Sequence, residues 1–202
     1  MPSQSCTKIL VVYYSSSGGT RKLAHLIAKG IESEGLEAVI RQVPRVSSQC
    51  EQTENEIPEH GDCYVQLEDL KDCAGLAVGS PSRFGNMAAP LKYFIDQTSD
   101  IWMNGILTGK PVTFFSSASS LHGGHESTLL SMMIPFLHHG MLVMGLPYAE
   151  TDLLHTSTGG TPYGVSHWSG PNNDLPLSES EKTLAVAQGR RLATTATKLS
   201  KS

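Results

Sequence analysis

Five short apolar segments recur along the chain, each followed by polar or helical sequence: KILVVYY (8–14), LEAVIRQV (36–43), CAGLAVG (73–79), PVTFFSS (111–117) and MLVMG (141–145). The first, third and fourth are nearly continuous in apolar character, as strands covered on both faces are, while the mixed second segment reads as an edge strand. Helical periodicity fills much of the rest. Leu23, Leu26, Ile27, Gly30 and Ile31 share one face of a helix expected over about 20–34. Further helices are expected over 88–98, 126–138 and 178–199, the last opened by Ser178 with Glu181 as a capping box. Pro135 should bend the third of these or force its last turn into a loop. Strands alternating with helices bury themselves as a parallel sheet wrapped on both faces. With 202 residues the chain has enough sequence for one sizeable core, so residues 1–202 are read as one α/β domain.

Two long connections stand outside this pattern. Residues 44–62 carry Glu51, Glu54, Glu56 and Glu59 with few apolar anchors, which reads as a solvated excursion. Residues 147–176 mix aromatics with glycines and prolines, the composition of a binding or subunit-contact loop.

Charge and cysteine usage narrow the function classes. Fifteen Lys and Arg against nineteen Asp and Glu give a net charge of −4, which supplies no electrostatic case for nucleic acid or an anionic membrane. Cys6, Cys50, Cys63 and Cys73 form no CxxC pair, as expected of free thiols in a reducing compartment. The first residues lack a leader pattern, and no apolar stretch approaches the roughly 20 residues that cross a bilayer. A cytoplasmic protein without an integral membrane segment is the expectation.

In open parallel sheets ligands bind beyond the carboxyl ends of the strands. Three polar, mostly glycine-containing loops leave strand ends there: SSSGGT (15–20), SPSRFGN (80–86) and SSASSLHGG (116–124). The first fails the Walker A spacing and the GxGxxG dinucleotide pattern. It offers the hydroxyls of Ser15, Ser17 and Thr20, with Gly18 and Gly19 turning backbone N–H groups inward beside the positive end of a helix. That combination suits one terminal phosphomonoester. No GxSxG elbow supports a serine hydrolase, and no cysteine or carboxylate joins His122, His125, His138 and His139 at ligand spacing, so no metal is expected. His155 and His167 read as surface residues of the long loop.

These motifs, with SPSRFGNMAAPLKYFIDQT, DIWMNGILTGKP, SLHGGHEST, HHGM and GGTPYG, give the chain a close resemblance to the WrbA family of FMN-dependent NAD(P)H:quinone oxidoreductases. The resemblance implies a flavodoxin-like three-layer sandwich whose five-stranded parallel sheet has the order 2-1-3-4-5. It implies that Ser15, Ser16, Ser17, Gly18, Gly19 and Thr20 hold the FMN phosphate. Pro81, Ser82, Arg83, Phe84, Gly85 and Asn86 would border the flavin and ribityl chain, facing Ser116, Ser117, Ala118, Ser119, Ser120 and Gly123. His139 would approach the flavin as a proton-transfer group, and Trp102, with Phe84, would form the pocket where quinone stacks. NADH or NADPH and then quinone would use one space in turn in a ping-pong cycle, in a tetramer built as a dimer of dimers. Family members often carry a tyrosine or other larger residue where this chain has Ser17, near the nicotinamide path.

Read from the residues alone, Phe84 can pack on a planar ring, and Arg83 is either a site wall or half of an ion pair. Trp102 is either a core aromatic or a rim, and one of His138 and His139 a helix cap. The alternative class is an FMN electron carrier of flavodoxin type. Such a carrier is expected to need a strongly acidic docking face, which this chain lacks.

Overall fold

The computed structural model describes residues 7–46 and 58–201. Most of the acidic excursion expected over 44–62, with Glu51, Glu54 and Glu56, lies outside the described residues, as do Cys6 and Cys50. Cys63 is exposed and Cys73 buried, and both are free thiols.

Strands β1 (Lys8–Tyr13), β2 (Glu37–Gln42), β3 (Cys73–Arg83), β5 (Pro111–Ala118) and β6 (Leu142–Met144) pair in the order β2-β1-β3-β5-β6. The four pairings between these neighbours are all parallel, so the order expected from the resemblance holds with β2 at one edge. Two short strands attach to this frame. Strand β4 (Asn86–Met87) folds back antiparallel on the end of β3, and β7 (Val165–Trp168) runs parallel to β5.

The period-2 alternation of side chains divides the core between the two faces. Ile9, Val11 and Tyr13 of β1, Ala77 of β3 and Phe115 of β5 pack under helices α1 (Gly19–Glu32) and α7 (Glu179–Leu199). Leu10, Val12, Leu76, Val78, Val112 and Phe114 face the other way, against α3 (Ala89–Asp96) and α5 (His125–His138), with α2 (Leu67–Asp72) and α4 (Ser99–Met103) filling that layer. On the first face the two helices nearly touch. A Cβ on Gly30 would stand 2.1 Å from the Val186 carbonyl oxygen, and one on Gly189 would stand 2.0 Å from that of Ile27. Only glycine permits backbones to pack at that range.

Helix α5 keeps the expected end at His138 and runs through Pro135, so its last turn is not forced into a loop. The ring removes one intrahelical hydrogen bond, but Leu129, Met132 and Phe136 are buried on the same helix and hold it to the sheet. The connection over 147–176 is not one long loop, since it contains α6 (Asp152–His155) and β7. Its strand is only four residues long and was masked by the polar pair Ser166 and His167, both of which are buried.

Candidate functional site

Parallel strands bring the loops after β1, β3, β5 and β7 to one edge of the sheet. There they enclose a pocket of about 260 Å³ lined by Ser16, Ser17, Pro81, Ser82, Arg83 and Phe84 on one side, and by Ser117, Ala118, Ser119, Ser120 and Gly123 on the other. These are residues that the loop chemistry and the resemblance single out. The structure also adds Ser169 and Asn173, from the turn after β7, as a further wall.

The floor of the pocket is the start of α1. Gly18, at φ +92°, precedes the helix and has no side chain to cap it. The first N–H groups of a helix have no carbonyl behind them, so these remain available to an acceptor from outside. Ser15 Oγ accepts from the Gly18 N–H at 3.1 Å and fixes the turn. Thr20 differs from the expectation that its hydroxyl is offered to a ligand. It is fully buried, and its Oγ1 lies 2.8 Å from Ser117 Oγ, joining the β1 and β5 loops from beneath. Gly19 fits closely against the same packing, since a Cβ there would stand 3.1 Å from His167 Cδ2 and 3.3 Å from Ser117, tighter than ordinary contact.

Arg83 and Asn86 pair across the β3–β4 hairpin, leaving Phe84 and Gly85 as its two turn residues, at φ +53° and +74°. Positive φ at both positions matches a primed hairpin turn, a demanding conformation for an aromatic residue. The Phe84 ring is entirely exposed at the mouth of the pocket. Arg83 makes no ion pair among the described residues. Its guanidinium donates to the Ser82 carbonyl at 3.0 Å and to Ser16 Oγ at 2.9 Å, tying two walls together. Ser82 Oγ donates to the Gly123 carbonyl at 2.7 Å and accepts from Thr128 at 3.0 Å, while Asn86 Oδ1 accepts from Ser131 at 2.9 Å. Ser116 Oγ is buried with no partner.

Behind the pocket lies a pair missed in the sequence. His167 is 1% exposed rather than on the surface, and its Nδ1 lies 2.9 Å from Oε2 of the equally buried Glu181. That carboxylate also accepts from the backbone N–H groups of Gly159, Trp168 and Ser178 at 2.9 to 3.0 Å. Burial alone would raise the Glu181 pKa, but the bonds from His167, Trp168 and Ser178 hold it below the ordinary carboxylate value. The capping box had flagged Glu181 for the helix alone.

Trp102 and His139 are not brought to this pocket within one chain. Helix α5 runs from the pocket edge back to the opposite end of the sheet, and His139 follows it, just before β6 begins beside Pro111. The eight-residue β5 separates the two ends by about 23 Å at ~3.3 Å per residue. At that far end the exposed His138 lies against Trp102, with ring centroids 5.5 Å apart, and its carbonyl accepts from Trp102 Nε1 at 3.1 Å. His139 turns inward. Its Nε2 lies 2.9 Å from Thr98 Oγ1, a hydroxyl already donating to the Ile95 carbonyl at 2.7 Å, so Nε2 carries the proton and the buried Nδ1 has no partner. Burial, and then His138, push this imidazole below its ordinary pKa.

Residues 7–152 match the family model described as NADPH-dependent FMN reductase. The chain belongs to that family. Among curated relatives it is 38% identical over 198 residues to a protein of Solidesulfovibrio magneticus named NAD(P)H dehydrogenase (quinone), covering 92% of this chain and 95% of that one. A protein of the same name from Syntrophobacter fumaroxidans is 37% identical over 204 residues, covering 96% and 99%. These matches place this FMN reductase family member with the WrbA-type NAD(P)H:quinone oxidoreductases, as the sequence motifs implied. An archaeal flavodoxin superposes with a TM-score of 0.64 at 21% identity, over 95% of this chain and 99% of that one. A WrbA-like protein from Agrobacterium tumefaciens gives 0.64 at 19%, over 95% and 98%, and both share the flavodoxin-like fold. Among the described residues no three His, Cys, Asp or Glu side chains are grouped as for a metal, and no helix is long and apolar enough to cross a membrane.

Proposed function

We propose that the chain binds FMN at the carboxyl edge of its sheet and uses it for the two-electron reduction of quinones by NADH or NADPH. The observation that carries this reading is the uncapped first turn of α1 opening beside Ser15, Ser16 and Ser17, at one end of a pocket walled by residues 81–84 and 117–120. A phosphomonoester fits the turn, and the slot beside it accepts a flat ring. When bound, FMN supplies the hydride and electron exchange, leaving placement to the protein. Ser15 holds the turn, Arg83 closes it from the β3 side, and Phe84 presents its ring at the mouth. Ser17 leaves the nicotinamide path wider than a larger side chain would.

The separation of Trp102, His138 and His139 from the pocket supports an assembly, proposed as a dimer of dimers, in which a second copy brings its far end over the first copy's flavin. There Trp102 and His138 form the quinone-stacking rim. His139, assigned proton transfer by the resemblance, takes that role only if its ring turns out of the core in the assembly. A cytoplasmic location belongs to the same proposal and is supported by the free thiols.

The test is spectroscopic. The protein reconstituted with FMN should bleach at the flavin band when NADH or NADPH is added without oxygen, and recover on addition of benzoquinone. Bleaching with neither nicotinamide would assign the chain to electron carriage, and failure to take up FMN at micromolar protein would remove the cofactor reading.

A further inference from the structure

The wall that follows β7 carries a group that the other walls of the pocket lack. Asn173 is the one side-chain amide among the described residues of the lining; the others are serines, apolar residues, a glycine and Arg83, whose guanidinium is already tied to Ser82 and Ser16. Asn173 is exposed, yet its place is fixed. It stands at φ +57°, and its backbone N–H donates to the Gly170 carbonyl at 3.0 Å, closing the turn. Ser169, only 3% exposed, anchors its side chain from beneath. The Ser169 hydroxyl lies 3.1 Å from the Ala118 carbonyl and 3.0 Å from Asn173 Oδ1, and has one proton to give. That carbonyl already accepts the Ser169 backbone N–H at 2.9 Å, so the proton goes to Asn173. The two hydrogens on Nδ2 are then left without an acceptor among the described residues.

The strand places this amide at the helix end of the pocket. Ser169 continues the pairing of β7 with β5 through its N–H, and side chains two residues apart on a strand share a face. The neighbour on that face is His167, whose Cδ2 lies 3.1 Å from where a Cβ on Gly19 would stand, against the first residue of α1. We propose that Asn173 is a specificity-determining residue of the pocket, its Nδ2 donating to an oxygen of the FMN phosphate, so that the pocket favours FMN over riboflavin by more than the start of α1 supplies. This rests on the FMN reading of the site. A neutral amide suits the position, because a carboxylate of the same shape would face the phosphate with like charge.

Asn173→Gly and Asn173→Asp separate contact with the ligand from construction of the turn. The left-handed backbone at φ +57° is open to glycine and tolerated by aspartate, so both variants keep the turn. Dissociation constants for FMN and riboflavin are read from flavin fluorescence at about pH 8, where a phosphomonoester with a second pKa near ~6 is dianionic. N173G should bind FMN about tenfold more weakly, the order of one hydrogen bond to a charged group, and riboflavin within about twofold of the natural protein. N173D should bind FMN more weakly still, with riboflavin again unchanged. Natural FMN affinity in folded N173G overturns the inference alone, as does N173D binding FMN as tightly as N173G. Equal weakening of both flavins also overturns it, since Asn173 would then serve the ring, the ribityl chain or the turn. Failure of the natural protein to bind either flavin overturns the cofactor reading and this inference with it. Should N173D not fold, N173G on the two flavins decides; should riboflavin bind too weakly to measure, the FMN affinities of the natural protein, N173G and N173D decide by their order.

Discussion

Thr20 and Ser117 share a buried hydrogen bond of 2.8 Å that joins the β1 loop to the β5 loop under the pocket floor. Removing one hydroxyl leaves the other buried and unpaired, at a cost of about 1–3 kcal/mol, whereas removing both is nearer neutral. T20V and S117A should each lower stability in urea by that order and weaken FMN binding. The double variant should recover much of the stability, and strict additivity across the cycle would show that the bond is not formed in solution.

The two glycines of the turn should respond differently to substitution. A Cβ on Gly18 meets nothing within 4 Å, so Gly18→Ala is penalised only through its φ of +92°, by about 1–3 kcal/mol. Gly19→Val instead drives its side chain into His167 and Ser117. It should weaken FMN binding far more than Gly18→Ala while the sheet persists by far-ultraviolet circular dichroism. Comparable FMN affinity in a folded Gly19→Val protein would remove the cradle assignment.

Phe84 illustrates a conflict between stability and binding. An aromatic residue at φ +53° with no packing contributes strain and exposed apolar surface. Phe84→Gly should raise the melting temperature of the apoprotein, by about 1 kcal/mol of relieved strain, and weaken FMN binding. A thermal scan with and without FMN should show the two effects with opposite sign.

Acid should destabilise the fold before its carboxylates titrate. Burial depresses the pKa values of both His125 and His139, so in the unfolded chain these imidazoles bind protons at a higher pH than in the native one. Their contribution is intact above the ordinary histidine value near ~6.5 and is lost as pH falls through it toward their native values. Stability measured from pH 7.5 to 5.5 should therefore fall, and H125Q should flatten the slope. A further loss from Glu181, whose native pKa is also depressed, should follow below ~4.3.

Trp102→Ala should leave FMN affinity of the isolated chain unchanged, because the indole lies at the opposite end of β5 from the pocket. The Michaelis constant for quinone should rise severalfold, with weakened assembly visible by sedimentation. A loss of FMN affinity at monomer concentrations would place Trp102 in its own chain's pocket instead.

The sheet was legible because its central strands are buried on both faces and read as apolar runs, and the pocket loops because Ser, Gly and Pro crowd directly after those runs. β7 was not. Four residues that include Ser166 and His167 give no apolar run, and their burial depends on partners such as Ser117 and Glu181 that are distant or on another element. The displacement of His139 was recoverable in principle, since a helix following a parallel strand must carry its last residues to the far end of the sheet. The resemblance brought that histidine to the flavin; within one chain, chain direction separates it from the serine loop. The Thr20–Ser117 contact was hidden for a related reason, because a hydroxyl beside a cradle looks the same in sequence whether it faces the ligand or the neighbouring strand.

The last place in the sheet is shared, with β6 beside Pro111–Thr113 and β7 beside Phe115–Ala118. A growing chain can therefore assemble all five central strands by residue 144 while the pocket still lacks Ser169, Asn173 and the His167–Glu181 pair. On the ribosome the cofactor site is consequently a late product, closed only when the segment after residue 164 returns to β5 and α7 docks on α1. Completion of the pocket, rather than formation of the sheet, therefore waits on residues 165–181.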